Sequence, residues 1–486
     1  MKRLLTLVAG VLVTAACQDQ PDPVAPMESP ELGPSLSVVV DPALTDAVAG
    51  ATEGDLLEVI VNFDETLTTS STIANTLQDV GAGVVTFEHL SMVAALTTPS
   101  QIATIQTLTG VQSIYLNSQL DYLLAESIET IRADEVWAAG YTGKDVGIAI
   151  LDSGIDGLYH PDLKYPEKTV QNVKYVGDSR DLYSFGDDTP EPGFSLYVEN
   201  VANSETSIGH GTHVAGIAAG TGEASSAGIY TGVAPDAGLI GIGAGDVLFI
   251  FWALAGFDYI LEHQDEYNIQ VVNNSWGSSG EFDPTGPINE ATKEVHDAGI
   301  TVVFAAGNAG PDQNTMNRYS VAPWVIGVAA GCKLVQDPTN SAVHCEDPNG
   351  RAPVLAGFSS RGIPGDDLYH PDVTAPGVHI VSARASTGAV LNGLDANHDA
   401  QICNISLQHV DYYTCASGTS MASPHVAGVV ALLEEASGGA ITPDEVLEVL
   451  TTTVRPLDGY DVWEVGAGYV DAFEAVKAAS RGKYSK

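Results

Sequence analysis

From about residue 128 onward, short apolar runs alternate with longer segments whose apolar positions suit helices. The runs at 146–151 and 301–306 are almost entirely apolar, which is typical of strands buried on both faces of a sheet. Segments of helical length lie between such runs and include 213–219, 248–262 and 288–298. This alternation predicts an α/β fold, in which a parallel sheet carries helices on both faces.

Residues 55–118 have a different pattern, with shorter elements in a different order. We predict strands at 57–63 and 111–116, one or two strands within 83–97, and helices at 71–80 and 99–108. This succession is compatible with a small α+β domain of the ferredoxin-like type. The sequence therefore predicts two folded domains of different class.

The N-terminus has the pattern of an export signal. Lys2 and Arg3 precede the apolar run 4–13, which is too short to stay in a bilayer as a spanning helix. Small residues then lead to Cys17, which resembles a bacterial lipoprotein signal with Cys17 as the acylated residue. Ordinary secretion with cleavage near Ala16 is the alternative.

Residues 18 to about 35 are rich in Pro, Asp and Glu, which is typical of a disordered spacer.

The overall charge excludes one class of partner. The chain of 486 residues has 62 acidic and 19 basic residues, so its formal net charge is −43. Nucleic acid binding needs an excess of Lys and Arg to neutralise phosphates, and this chain has the reverse. Such a surface favours solubility, and adaptation to salt stays open.

Ser420 is the first candidate for chemistry. It lies among small residues where a polar run meets the apolar segment 426–433, so we expect its hydroxyl at the start of a helix. Unpaired N–H groups and the positive end of the helix dipole favour negative charge there. A serine in this place can attack a carbonyl if a base reaches it, although a lone serine at a helix start is usually a cap.

Three further motifs supply the missing partners. His210 stands among glycines at the start of an apolar helix, Asp152 ends the run 146–151, and Asn308 follows the run 301–306. With Ser420, their order along the chain (Asp, His, Asn, Ser) resembles that of the subtilisin-like serine proteases. The resemblance covers about residues 130–480.

The resemblance implies a role for each of these residues. Ser420 is the nucleophile, His210 is the general base and acid, and Asp152 orients the imidazole and stabilises its charged form. The amide of Asn308 and the backbone N–H of Ser420 form the oxyanion hole.

Substrate binding is also implied by the resemblance. One wall of the pocket for the residue before the cut is expected from 274–277, which includes Ser275, Trp276 and Gly277, together with Ala305, Ala306 and Gly307. The opposite edge is expected from Gly243 and Gly245. No charged residue marks the base of the pocket, so we expect broad specificity with an apolar preference before the cut.

The same resemblance divides the chain into functional parts. These are a signal peptide (1–16), a lipid-anchor cysteine with a spacer (17–54), an inhibitory propeptide (55–124) and a catalytic domain (125–486). Self-cleavage is expected within 121–125, after which the propeptide acts as an inhibitor. An unrelated binding module is the alternative for the small domain.

The remaining cysteines are expected to form disulfides. Cys332, Cys345, Cys403 and Cys415 make an even number in an exported protein, and four cysteines allow three pairings. We expect Cys332–Cys345 and Cys403–Cys415, because each pair brackets one inserted loop. Buried free thiols are the alternative.

The chemistry itself requires no cofactor, but whether the protein binds a structural calcium ion stays open. Members of the family hold an ion with an aspartate like Asp162 and an asparagine in a later loop, but 224–230 contains no Asn. Asp395, Asn397 and Asp399 begin like a calcium loop, but Ala400 stands where such a loop needs Gly. An ordinary solvated turn is the alternative there.

Taken together, these features predict a serine endopeptidase that is exported to the cell envelope or the extracellular space. It would act on proteins or peptides, and it would be attached to a membrane if Cys17 is acylated. The alternatives are an inactive surface binding protein with the same fold, and a serine esterase that uses the same residues.

Overall fold

The computed structural model of the chain describes residues 38–40, 42–52, 54–64, 66–86, 92–116, 126–176, 197–225, 228–245, 248, 250–333, 355–387, 390–392, 403 and 405–480. Several predicted features lie outside these residues: the signal segment, Cys17, the spacer up to residue 37, the self-cleavage segment 121–125, Cys345, and Asp395, Asn397 and Asp399. Two compact units are present, divided between Gln119 and Leu120.

The smaller unit is a sheet with helices. Its strands are β1 (Val39–Val40), β2 (Leu57–Phe63), β3 (Gly83–Thr86), β4 (Met92–Thr97) and β5 (Val111–Leu116), in the order β1-β5-β2-β4-β3. Its helices are α1 (Pro42–Gly50), α2 (Ser70–Asp79) and α3 (Pro99–Ile105). β2 is antiparallel to β4 and β5, and β1 joins β5 in parallel. The elements from β2 to β5 follow the βαββαβ succession that the sequence predicts. β1 and α1 are additional: they lie within 17–54, which was expected to be a disordered spacer, and Leu44 of α1 is buried in the core of this unit.

The larger unit contains a mostly parallel sheet. Its strands are β6 (Gly147–Asp152), β7 (Thr169–Tyr175), β8 (Tyr197–Val198), β9 (Gly238–Gly243), β10 (Ile269–Asn274), β11 (Thr301–Ala305), β12 (Ile326–Gly331) and β13 (Val373–Pro376). They lie in the order β13-β12-β11-β10-β6-β9-β7-β8, and β8 pairs antiparallel with β7. A separate antiparallel pair consists of β14 (Ile380–Ala383) and β15 (Tyr413–Ala416).

Helices cover both faces of this sheet. They are α4 (Glu126–Ile131), α5 (Ala133–Ala138), α6 (His210–Ala219), α7 (Ile250–Glu262), α8 (Gln264–Tyr267), α9 (Pro287–Asp297), α10 (Thr419–Ser437), α11 (Pro443–Thr452), α12 (Val462–Val465) and α13 (Ala472–Ala479). Alternate residues of β6 enter two different cores: Ile148 and Ile150 pack with α6 and α10, whereas Ala149 and Leu151 pack with α7. A strand buried on both sides has no polar face, which explains the apolar run and confirms the predicted α/β class.

Two cysteines close a loop before α10. Cys403 and Cys415 form a disulfide bond. Cys332 is also disulfide-bonded, and its predicted partner, Cys345, lies outside the described residues. Among the described helices, none is both long and apolar enough to cross a membrane.

A buried ion pair connects α12 to a distant loop. Arg361 Nη1 donates to Glu464 Oε1 at 2.9 Å, and both side chains are almost fully buried, with 4% and 3% of their surface exposed. The other oxygen, Glu464 Oε2, accepts the backbone N–H of Asp461 at 3.1 Å. Because the guanidinium cannot lose its charge, removal of its partner would leave a buried charge unpaired.

We expect Glu464→Ala to lower the free energy of unfolding by about 3–5 kcal/mol, because it leaves the Arg361 charge buried without a partner. Glu167→Ala is the matched control, since its ion pair with Lys164 is exposed and should contribute nothing measurable. Denaturant titration of both variants measures the difference. Equal losses in the two variants would contradict the prediction.

Candidate active site

Asp152 is the last residue of β6, in the middle of the sheet. Carboxyl ends of parallel strands meet at one edge of the sheet, which is where α/β folds place their sites. Oδ1 of the buried Asp152 accepts the backbone N–H of Ser153 at 2.7 Å. It also accepts the Nδ1–H of His210 at 2.7 Å, since an ionised carboxylate can only accept. The structure therefore brings Asp152 and His210 together.

His210 is the first residue of α6. The residue before it, Gly209, has φ of +75°, a left-handed conformation that favours glycine. A Cβ atom on Gly211 would lie 2.3 Å from the carbonyl oxygen of Gly154 and 3.1 Å from Cβ of Asp152. Only a residue without a side chain lets the helix approach the end of β6 so closely. The glycines around His210 thus set its distance to Asp152.

The environment of His210 shifts its pKa. Burial is the largest single effect and lowers the pKa, but the charge and hydrogen bond of Asp152, together with the charge of Glu205, act in the opposite direction. The net result is a pKa above the ordinary value of 6.5. The imidazole is therefore a stronger base than a free histidine.

Ser420 is the second residue of α10, and its hydroxyl points to a strand end. Its Oγ donates to the carbonyl of Ser275 at 3.0 Å, so in this structure the hydroxyl is bonded to Ser275 instead of His210. The carbonyl of Ser420 accepts the Oγ–H of Ser275 at 2.8 Å. Pro424 has no N–H and cannot bond the carbonyl four residues before it, which leaves this carbonyl available. Ser275 therefore holds Ser420 on two sides.

Asn308 follows β11 and Gly307 and faces the start of α10. Its Oδ1 accepts the backbone N–H of Thr419 at 2.8 Å and the Oγ–H of Thr419 at 3.0 Å. Two donors on one atom identify that atom as the oxygen of the amide. The Nδ2 hydrogens are consequently available on the side of Gly418, where Nδ2 lies 3.5 Å from the position of a Cβ atom.

A pocket of about 270 Å³ opens beside Ser420. Of the predicted wall, it is lined by Trp276, Gly277, Ala305 and Gly307. It is also lined by residues that the sequence analysis did not assign to it: Ser278, Ser279, Ala309, Thr315, Met316, Asn317 and Ser360. None of the lining residues is charged.

The predicted residues that do not line this pocket have other positions. Ala306 is buried beneath the wall with Met316 and Val321, and its neighbour Ala305 faces the pocket instead. Gly243 pairs with Asp152 across β6 and β9, and Gly245 follows it with φ of +104°.

Asn317 holds the pocket together. Its Nδ2 donates to the carbonyls of Trp276 and Ala305, at 3.0 and 2.9 Å, and its Oδ1 accepts the N–H of Ser278 at 3.2 Å. One buried amide thus joins the two walls of the pocket. No motif in the sequence marks Asn317.

Asp162 does not have the surroundings of a calcium ligand. Its Oδ1 accepts the N–H of Ala224 at 2.8 Å, and its Oδ2 accepts the O–H of Tyr413 at 2.5 Å. Each carboxylate oxygen of Asp162 thus accepts a hydrogen bond from a protein donor. Over the described part of the chain, no group of three His, Cys, Asp or Glu residues could hold a metal ion.

Comparison with known proteins agrees with this geometry. The sequence model of the subtilase family matches residues 143–470, more than half of the chain. Serine protease AprX of Bacillus subtilis (strain 168) is 32% identical over 411 residues, which cover 80% of each chain. The major intracellular serine protease of the same organism is 28% identical and covers 69% of this chain and 84% of that protein.

A solved structure supports the fold. Sphericase superimposes with a TM-score of 0.50 at 24% identity, over 68% of this chain and 92% of that one. At this identity the likeness concerns the fold alone. The match of the family model and the similarity to AprX identify the family itself: the chain belongs to the subtilases and is a subtilisin-like serine endopeptidase.

Proposed function

We propose that the protein hydrolyses peptide bonds with Ser420 as nucleophile, His210 as general base and acid, and Asp152 as the group that orients His210. The observation that carries this proposal is the 2.7 Å hydrogen bond between Asp152 Oδ1 and His210 Nδ1. It leaves Nε2 of His210 as the nitrogen that can take a proton. Ser420 lies at the same edge of the sheet, where it lines a neutral pocket.

The reaction begins when Ser420 exchanges its hydrogen bond to Ser275 for one to Nε2 of His210. We expect a rotation about χ1 of Ser420, its only side-chain torsion that moves Oγ, to make this exchange. The oxygen then attacks the peptide carbonyl while His210 takes the proton, and His210 returns that proton to the leaving amine. Water repeats the two steps on the acyl-enzyme. Asp152 keeps its hydrogen bond to Nδ1 and stabilises the imidazolium.

The oxyanion is stabilised by two donors. Asn308 offers Nδ2, because its Oδ1 is held by Thr419. Ser420 offers its own N–H, which lies in the first turn of α10 and needs no partner within the helix. Donors that are fixed before the reaction stabilise developing charge without reorganisation.

The pocket favours a broad range of uncharged residues before the cut. Its volume of about 270 Å³ accepts a medium-sized side chain, and Met316 supplies an adaptable apolar wall. Because no charged residue lines it, a buried Lys, Arg, Asp or Glu of the substrate would lack a partner. Apolar residues are therefore preferred.

The small unit is proposed as a propeptide, and the protein as a self-processed zymogen. This unit stands directly before the catalytic unit in the chain, with a core that includes Val59, Val61, Leu77 and Ile114. We place the self-cleavage within 121–125, and we assign residues 1–16 to an export signal that ends before an acylated Cys17. The chemistry uses no cofactor.

Replacement of Ser420 tests the self-processing. We expect the wild type to lose roughly its first 120 residues and Ser420→Ala to stay full length, since the alanine has no nucleophile. Gel mobility and N-terminal sequencing measure this. Ser417→Ala is the matched control and should be processed like the wild type, because it removes an exposed hydroxyl three residues before Ser420 that bonds the N–H of His379. Processing of Ser420→Ala at the wild-type rate would show that another protease makes the cut.

Replacement of Asn308 tests the oxyanion hole. We expect Asn308→Ala to lower kcat by about 10²- to 10³-fold, a magnitude that comes from this same enzyme family, with little change in KM. Gln313→Ala, an exposed amide on the same loop, should leave both constants unchanged. Steady-state kinetics on a peptide anilide provide the comparison. An equal loss of casein and small-ester hydrolysis would support the role, whereas wild-type kcat would contradict it.

The pH profile tests the role of His210. Catalysis requires the neutral imidazole, and a raised pKa means that the neutral form prevails only at higher pH. The acid limb of kcat/KM should therefore have its midpoint above 6.5, the ordinary value. Asp152→Asn removes the carboxylate that does most to raise the pKa of His210. The midpoint of the acid limb should therefore fall, while the rate drops by about 10⁴-fold. A wild-type midpoint below 6.5 would contradict the assignment.

A further inference from the structure

Glu205 is a buried carboxylate next to His210 for which the reaction steps above have no role. It lies in the loop before α6, and only 2% of its surface is exposed. Its Oε1 accepts the N–H groups of Thr206 and Gly209, at 3.0 and 3.2 Å. Its Oε2 accepts the N–H of Thr212 at 2.9 Å and the Oγ–H of Thr212 at 2.5 Å. Burial raises the pKa of this carboxyl, and the hydrogen bonds from Thr212 and Thr206 act in the opposite direction because they favour the ionised form.

These contacts make Glu205 the cap of the helix that carries His210. The N-cap residue, Gly209, has no side chain to offer, and no acidic residue stands in the first turn of α6. Glu205 supplies the missing acceptor from four residues before Gly209. Because it binds the N–H groups of Gly209 and Thr212, it holds the backbone on both sides of His210.

The same carboxylate is connected to the chain that follows Asp152. The side chain of Ser153 lies close enough to Glu205 to lower the pKa of its carboxyl, and Oγ of Ser153 accepts the N–H of Gly211 at 2.8 Å. Oγ of Thr212 accepts the N–H of Asp156 at 3.0 Å. The end of β6 and the start of α6 are therefore both tied to one group. Lys174, the nearby cation, donates to the carbonyl of Glu205 and leaves the carboxylate free for these bonds.

We propose that Glu205 is a positioning residue, which sets the distance and orientation of His210 relative to Asp152. The proposal rests on the proposed function of this pair. Glu205 does not touch the substrate or the reacting atoms, so it acts through the backbone of α6 and through Ser153. A displacement of His210 by about 1 Å can cost about a hundredfold in rate, which is why such a support matters for catalysis.

Glu205 also acts on His210 through its charge. The charged groups that face the imidazole are Asp152 and Glu205, and both raise its pKa. His213, one turn further along α6, is kept neutral because burial lowers its pKa to about 3. Loss of the Glu205 charge should therefore move the titration of His210 to lower pH.

Two variants separate position from charge. Glu205→Gln removes the charge and turns one acceptor into a donor, so kcat should fall by about ten- to a hundredfold and the acid limb of kcat/KM should move to lower pH. Glu205→Asp keeps the charge but is one methylene shorter, so kcat should fall while the acid limb stays closer to the wild type. In both variants KM should change by less than about twofold.

Glu434→Gln is the matched control. Glu434 is a buried carboxyl on α10, its Oε1 and Oε2 have no hydrogen-bond partner among the described residues, and it lies 14 residues after Ser420 in the sequence. Burial raises its pKa to about 8, so this control reports the loss of a buried carboxyl that is uncharged at neutral pH. Loss of its carboxyl should change neither kcat nor the acid limb. The kinetics of the two variants at 205 and of this control are measured with a peptide anilide as substrate. Labelling with a fluorophosphonate gives the number of active molecules in each preparation.

The outcomes distinguish the two proposals. If both Glu205 variants lose thermal stability while each labelled molecule keeps the wild-type kcat and acid limb, Glu205 is only a structural cap and the positioning role is refuted. If Glu205→Gln does not fold, Glu205→Asp decides by the same criteria. If the wild type is neither labelled nor active on peptides, the proposed function itself fails.

Discussion

The site depends on how closely the helix of His210 can approach the strand of Asp152. A hydrogen bond of 2.7 Å joins two residues that are 58 positions apart, so both backbones must be fixed. Gly211 permits the approach, because any side chain would collide with Gly154. Buried strands on a covered sheet provide the rigid frame. The remaining features of the site, including the serine and the pocket, are arranged around this contact.

Much of the fold follows from the sequence because its signals are local. The residues of β6 are apolar on both faces, which only a strand between two layers requires, and the structure has those layers. The βαββαβ order of the small unit was predictable for the same reason. The N-terminal strand and helix, β1 and α1, were not predicted, since a strand of two residues has no period to detect.

The motif residues were found because each stands in a short run of characteristic sequence. The residues of the pocket walls are scattered along the chain and have no such run. Asn317 is identified only by its bonds to Trp276 and Ala305, which are distant in sequence. Both Ala305 and Ala306 were expected in the wall, but only Ala305 lines the pocket. The direction in which the chain turns after β11 decides this, and two neighbouring alanines give no indication of it. Glu205 was missed because an acidic residue in a polar loop is ordinarily solvated.

Pro424 has a consequence for how the enzyme responds to its substrate. In an unbroken helix the carbonyl of Ser420 would belong to the backbone ladder, but here it is held by Ser275, whose own carbonyl holds the hydroxyl of Ser420. Ser275 adjoins Trp276 and Gly277, which line the pocket. A shift of this segment would therefore change both hydrogen bonds of Ser420 at once. Through Ser275, the wall that contacts the substrate side chain is thus coupled directly to the position of the nucleophile.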